Sequence, residues 1–465
     1  MNKKLLLIFF TAFLIRLIAL NQSLWLDEAI TAQVVKELGW LGILGKFLPY
    51  DFHPPLYYLL MKFWTSIFGY SEIALRLPSV IFSLATGWVI YLICRRQKKF
   101  IDPLLATGLF LFNPLVVYYS QEARMYMFAV FLLTMSLFYF LKILQVITRS
   151  EIPLRGKSQK LKVKSFIFFN TFIGLSLLTF YGSIFLIAAF LLIFLFKKQY
   201  KYFLLSAFIL ALIFLLISPL LYQQLVNSKI SLKQVANWSL VLGKANLKNL
   251  LLIPLKFSIG RISFYPKFLY YLVAGIWTVF VFYFVIYAGL RNKILGFLFI
   301  FPLVLGFLVS FVTPLLQYFR FIYLIPIMAI LLSDKDLERF GRLDKLGRLG
   351  ILGGFLIFSL LLLFNPQFHR EDWKSIAKSV TGKKVYGIPS SLVGLRYYSA
   401  NTEIVDIREI RGIMKIRKEK EILVIPYTFE IYGLNNYQKL FKDGGLNLKK
   451  KKTFRGIEIE SFAQN

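Results

Sequence analysis

The residues able to do chemistry in this chain fall into three short clusters. In Leu24-Trp25-Leu26-Asp27-Glu28-Ala29 two carboxylates are adjacent and follow a tryptophan. Such a pair can take a proton from a nucleophile or ligate a divalent cation. It equally suits a helix start, where acids complement the macrodipole. In Asp51-Phe52-His53-Pro54-Pro55-Leu56-Tyr57-Tyr58 stands one of only 2 histidines, the other being His369. His53 is either a turn or capping residue or, lying in the same polar stretch as Asp27 and Glu28, a member of their site. In Tyr118-Tyr119-Ser120-Gln121-Glu122-Ala123-Arg124-Met125-Tyr126, Glu122 and Tyr126 share a helix face. Arg124 points elsewhere if that segment is helical throughout, whereas an irregular start lets Glu122 and Arg124 face one cavity. The plain alternative is a local ion pair, which contributes little. The remaining candidates, Arg16, Lys62, Arg76 and Arg320, are basic and able to snorkel. Arg320, in Gln317-Tyr318-Phe319-Arg320-Phe321, is the best placed of them to meet an anionic headgroup. A guanidinium suits bidentate phosphate recognition.

What must position these groups is a membrane bundle. Of the 465 residues 58% are hydrophobic, 49 are Phe, and the mean hydropathy is +0.65. Against that stand 56 basic and 23 acidic residues, a net charge of +33. A basic balance of that size usually points to nucleic acid, but no soluble nucleic-acid binder keeps such a composition in water. Together the numbers exclude an ordinary soluble enzyme, a disordered chain and a disulfide-rich secreted module. The single cysteine, Cys94, allows no intrachain disulfide. The sequence has no Walker loop, no G-x-G-x-x-G after a strand, no H-E-x-x-H and no Cys-rich zinc pattern.

A spanning helix needs about 17–25 apolar residues. Suitable runs lie at 5–20, 73–94, 103–119, 123–146, 165–181, 183–196, 202–221, 268–290, 294–313, 318–332 and 349–364, which predicts about eleven spans. The basic connections at 95–99, 147–164, 197–198, 291–293 and 333–348 then fall on one side and predict a cytoplasmic N-terminus. Residues 21–72, with an interfacial helix over 56–68, and residues 222–267 are expected as outer loops. The transmembrane domain would occupy 1–364 and a small outer α/β domain 365–465. In that tail a helix is expected over Trp373–Val380, and strands around Ile388, Val405, Ile422–Ile425 and Ile457–Glu460. The tail holds 19 basic against 11 acidic residues, a prior for an anionic surface.

The ordered set of motifs resembles the GT-C class of integral membrane glycosyltransferases. Within it, the chain is similar to the branch of protein O-mannosyltransferases and lipid A aminoarabinose transferases. The resemblance runs through 24–28, 53–58, Ser71-Glu72 with 74–78, and 121–126, then Arg320 with Tyr323-Leu324-Ile325-Pro326, and Asp372-Trp373. It implies a GT-C-like, all-α polytopic protein of the plasma membrane, with the small α/β domain outside. It implies transfer of a hexose or pentose, usually with inversion, from a polyprenyl-phosphate donor to a lipid, glycan or protein acceptor. Asp27 would be the general base. Glu28 and Glu122 would assist, or with His53 ligate a divalent cation where one is used. Arg124, Arg320, His53, Lys62 and Tyr126 would bind substrate. No nucleic-acid partner is expected. The competing readings are a flippase or transporter of polyprenyl-linked glycans and a membrane glycan ligase. Acids clustered near one face, without repeated halves, favour the enzyme over the transporter.

Overall fold

The computed structural model describes residues 3–97, 100–149, 157–335, 342–409 and 421–464. The basic connections 95–99, 147–164 and 333–348 therefore lie in part outside the described residues. The bundle is built from α1 (Lys3–Leu17), α2 (Leu26–Glu37), α3 (Trp40–Gly42), α4 (Leu56–Phe68), α5 (Glu72–Arg96), α6 (Pro103–Leu111), α7 (Pro114–Ser120), α8 (Tyr126–Arg149) and α9 (Lys157–Thr179). It continues with α10 (Ile184–Phe196), α11 (Tyr200–Gln234), α12 (Trp238–Leu242), α13 (Leu247–Ile259), α14 (Lys267–Arg291), α15 (Lys293–Val309), α16 (Ile325–Leu332) and α17 (Arg342–Phe364). Among the described residues five helices are long and apolar enough to cross a membrane, or six if α6 and α7 count as one bent span. Each of the eleven expected runs is helical, but several are short, so length alone does not return eleven spans.

Two departures from the expected boundaries have clear causes. Helix α11 does not end near 221 but runs on to Gln234, because 222–234 holds no glycine or proline. Its extension carries Gln224, which donates to the carbonyls of Leu48 and His53 at 2.9 and 3.0 Å, and Asn227, which donates to Pro49 at 2.8 Å. The long helix is thus a post for the turn that bears His53. The run 103–119, by contrast, is broken at Phe112 and Asn113 and bent by 59°. Proline at 114 suits a helix start. Asn113 accepts from the amides of Leu115 and Val116 at 3.0 and 3.2 Å and donates to Phe257 at 2.8 Å. The carbonyls freed at the break are met by Arg16, which donates to Leu111 at 2.9 Å, and by Ser359, which donates to Phe112 at 2.9 Å. Arg16 therefore does not snorkel: it is fully buried and fixed by α1's own Ala12 carbonyl and by Ser83.

The tail folds as a sheet in the order β2-β1-β3-β5-β4, with β1 (Lys384–Gly387) parallel to β2 (Glu403–Asp406) and β3 (Glu421–Val424). Strand β5 (Ile457–Ala463) runs antiparallel to both β3 and β4 (Asn447–Phe454). The expected helix is α18 (Trp373–Val380), which buries Trp373 completely against Gly394 of α19 (Val393–Tyr398). Strand β4 had no alternating signal, since it carries Lys449 to Lys452 in sequence; it forms at the edge by pairing with β5. Tyr398 and Lys374 tie the sheet layer to the bundle. The Tyr398 hydroxyl donates to Glu72 at 2.9 Å, and the Lys374 ammonium lies 2.8 Å from the same carboxylate. Replacing Asn113 with Ala should cost about 1–2 kcal/mol, read as a lower melting temperature in detergent. Asn113→Ser, which keeps the helix-capping oxygen, should lose less.

Candidate active site

The site forms where α2, α5 and the turn between α7 and α8 meet. Helix α2 begins at Leu26, and Glu28 reaches back to the Trp25 amide at 3.3 Å, so this acid does serve a helix start. It also does much more. Arg76 grips it with Nε on one oxygen at 2.8 Å and Nη2 on the other at 2.6 Å. The Ala123 amide donates to it at 2.8 Å, and Arg370 Nε lies 3.5 Å away. Burial opposes its charge, but Arg76 and Arg370 outweigh that and hold the carboxyl below its ordinary range. Both oxygens are occupied by hydrogen bonds, so the geometry gives Glu28 a structural duty.

Its neighbour faces the other way. Consecutive helical residues are about 100° apart, and the Asp27 side chain is 35% exposed where Glu28 is 0%. Asp27 lies 4.0 Å from Arg124 Nη2. Arg124 is buried, donates to Tyr58 at 3.1 Å, and comes within 3.5 Å of His53 Nε2. His53 in turn sets Nδ1 3.1 Å from both oxygens of Asp51. Burial works against the Asp51 charge, yet His53 beside it holds the carboxyl below its usual range. With Nδ1 donating to Asp51, His53 keeps Nε2 turned toward Arg124 as an acceptor.

Glu122 occupies a third position. The stretch 121–125 is irregular, and both Glu122 and Arg124 are charged neighbours of Tyr126. Glu122 is 1% exposed; Arg370 Nη1 donates to its Oε2 at 3.2 Å, while Oε1 has no partner among the described residues. Burial raises its carboxyl to about 7, with Arg370 pulling the other way. Arg370 and Arg261 both donate to the Tyr118 hydroxyl, at 2.8 and 2.5 Å, and lie against its ring at 4.3 and 4.6 Å. Tyr118, Arg261 and Arg370 line a cavity of about 610 Å³, together with Trp25, His369 and Arg455.

The other candidates separate. Tyr126 is buried, its ring edge-on to Tyr119 and Phe319, and Arg320 makes one long contact of 3.4 Å with the Pro314 carbonyl. Lys62 is drawn away to the C-terminal end of α2, where it donates to Val35 at 2.8 Å. That bond uses its ammonium on a backbone carbonyl and removes it from the cluster. Among the described residues no group of three or more His, Cys, Asp or Glu is placed to hold a metal ion, so Glu28, Glu122 and His53 are not brought together as ligands.

Residues 52–223 match the family model of dolichyl-phosphate-mannose-protein mannosyltransferase. The crystal structure of ArnT from Cupriavidus metallidurans in the apo state is similar at TM-score 0.57 and 12% identity, over 98% of this chain and 97% of that one. The same protein bound to undecaprenyl phosphate gives the same values. The chain has an ArnT-type fold. A weaker likeness, at TM-score 0.48 and 13% identity, joins 88% of this chain to 65% of the Archaeoglobus fulgidus oligosaccharyltransferase in its apo form. No curated protein sequence matches.

In this ArnT-type fold the residues that sequence reasoning passed over are Arg261, Arg370, Arg455 and Tyr118. The first three lie in stretches without a local pattern, and only the folded chain brings Arg261 and Arg370 to Tyr118 and Glu122, and Arg455 to the Arg370 backbone. Tyr118 lies within the 118–126 cluster, where its type and spacing gave it no distinct role.

Two outcomes follow from the charges. Arg76→Met leaves Glu28 buried without its main partner and should destabilise the protein by about 3–5 kcal/mol, seen in thermal melts. Glu122 titrates near 4.5 when unfolded and near 7 when folded. Between these values the folded state binds the extra proton, so stability should fall as pH rises through that window. Melting temperatures from about pH 4 to 8 should show this fall, and Glu122→Gln should remove it.

Proposed function

We propose that the protein transfers a sugar from a polyprenyl-phosphate carrier to an acceptor hydroxyl at the end of the bundle that carries the sheet. In this reading that end faces away from the cytoplasm, and residues 365–465 form a small domain over the site. The observation that carries the proposal is the contrast within one cluster. Asp27 is the accessible carboxylate, while Glu28 and Glu122 are buried and tied to arginines. The ArnT-type fold and the family match over residues 52–223 support it. Cupriavidus metallidurans ArnT has been crystallised with undecaprenyl phosphate, and a lipid phosphate is the carrier we assign here.

In the proposed reaction Asp27 takes the proton from the acceptor O–H. The acceptor oxygen attacks the anomeric carbon as the bond from that carbon to the phosphate oxygen breaks. The electron pair leaves with the phosphate, whose negative charge grows, and Arg124, Arg261 and Arg320 are the guanidiniums available to stabilise it. Attack opposite the leaving group inverts the anomeric centre. The unpartnered Oε1 of Glu122 is free to accept from a sugar or acceptor hydroxyl. Asp51 orients His53, which steadies Arg124. Activation of the sugar resides in the lipid phosphate, which agrees with a sequence free of nucleotide motifs.

The test is incubation of the purified protein with a panel of polyprenyl-phosphate sugars and mass spectrometry for released polyprenyl phosphate. Asp27→Asn should lower kcat by about 10²–10⁴ while melting like the wild type. A fully active Asp27→Asn variant removes the base assignment.

A further inference from the structure

The tip of the β4–β5 hairpin lies against the segment that delivers Arg370, and nothing in the proposed reaction uses that contact. Arg455 Nε donates to the Arg370 carbonyl at 2.6 Å, and the Asp372 amide donates to the Arg455 carbonyl at 3.0 Å. The strap 370–372 is thus held on both sides by one residue of a two-residue turn. From the bundle, Gln22 accepts from the Arg370 amide at 2.9 Å. The other turn residue, Gly456, sits at φ +75°, and a Cβ there would come 3.0 Å from Cγ of Glu371. The tip therefore rests closely on the strap, in a left-handed backbone conformation that favours glycine.

The Arg370 side chain extends from a backbone fixed this way. It lies between Glu122 and Glu28 and also donates to the carbonyls of Gln121 and Tyr118 at 3.2 and 3.4 Å. A guanidinium on a long stem has many rotamers, and freeing its backbone would let it leave a buried partner. We infer that the hairpin tip, through Arg455 and Gly456, is a positioning element of the transferase site that holds Arg370 on Glu122. This rests on the transferase reading for its effect on catalysis, but not for its effect on the carboxyl.

The groups facing Glu122 are Arg370 from the strap, Glu28 and Asp27 from α2, Tyr57 from α4, Arg261 after α13, and Tyr118, Tyr119 and Tyr126 from α7 and α8. Loosening Arg370 removes attraction and leaves burial and the like charges, so Glu122 should hold its proton to higher pH. The experiment uses the full-length protein in detergent or bilayers with Arg455→Ala, Gly456→Ala, Arg370→Ala and Arg370→Lys. Infrared titration follows the buried carboxyl, identified by its loss in Glu122→Gln, and the pH profile of kcat is measured beside it. Arg455→Ala and Gly456→Ala should each move the carboxyl midpoint and the acid limb of kcat up by about half a pH unit or more. Arg370→Ala should move them further, and Arg370→Lys should restore part of the difference. An unmoved midpoint in both turn variants overturns the inference. So does an effect of Arg455→Ala on KM alone with Gly456→Ala silent, which would make Arg455 a substrate contact. A wild type inactive on every donor, with the midpoints moving as stated, overturns the transferase reading and leaves the positioning role standing.

Discussion

A carboxylate with no access to water must be compensated where it stands, and the Arg76–Glu28 pair is how this protein does it. Arg76 holds Glu28 and also donates to the carbonyls of Leu20, Gln22 and Ser23 at 2.8, 2.7 and 3.0 Å. One side chain from α5 therefore fixes the whole exit of the chain from α1 into α2. Glu28 reciprocates by accepting the Ala123 amide, which sets the irregular turn bearing Glu122 and Arg124. Buried ion pairs are weak devices for stability, since desolvation consumes most of the attraction. Here the pair sets register: three stretches of chain are aligned on one fork of hydrogen bonds, and Asp27, Glu122 and Arg124 take their positions from it.

The same rule governs the bent span. Backbone polar groups freed in an apolar bundle must find partners inside the protein. At the break between α6 and α7 the amides of Leu115 and Val116 find Asn113 itself, and the carbonyls of Leu111 and Phe112 find Arg16 of α1 and Ser359 of α17. Arg370 then covers the far end of α7, donating to the Gln121 carbonyl and joining the Gln121 amide on the Tyr118 carbonyl. The break turns α7 so that Tyr118 meets Arg261 and Arg370 at the cavity.

How much of this the sequence carried depends on the range of each interaction. Asp27 and Glu28 were legible as a pair, but not their division, which follows from the angular step of the helix and the arrival of Arg76. Glu122 and Arg124 were legible on the condition of an irregular turn, which the structure meets. The placement of Lys62 was not legible, because a lysine near a cluster gives no sign that a carbonyl at the end of α2 will accept from it. Arg261, Arg370 and Arg455 were silent for the opposite reason: each reaches Tyr118, Glu122 or the strap across long stretches of chain. The helices over the apolar runs and most strands followed from apolar length and alternation, while α12 and α13 within the expected outer loop, the overrun of α11 and the lysine-rich β4 did not, since none of these carries a spanning length or an alternating pattern.

Strand β4 has a bearing on how copies of the chain can meet. It stands at the edge of the sheet, with one row of backbone donors and acceptors turned away from β5. Such a row ordinarily recruits a strand from another molecule. Lys449 to Lys452 put positive charge on both faces of this edge, and a second copy laid against it in the same way would bring ammonium groups together. Association of two chains through a continuous sheet is thereby discouraged.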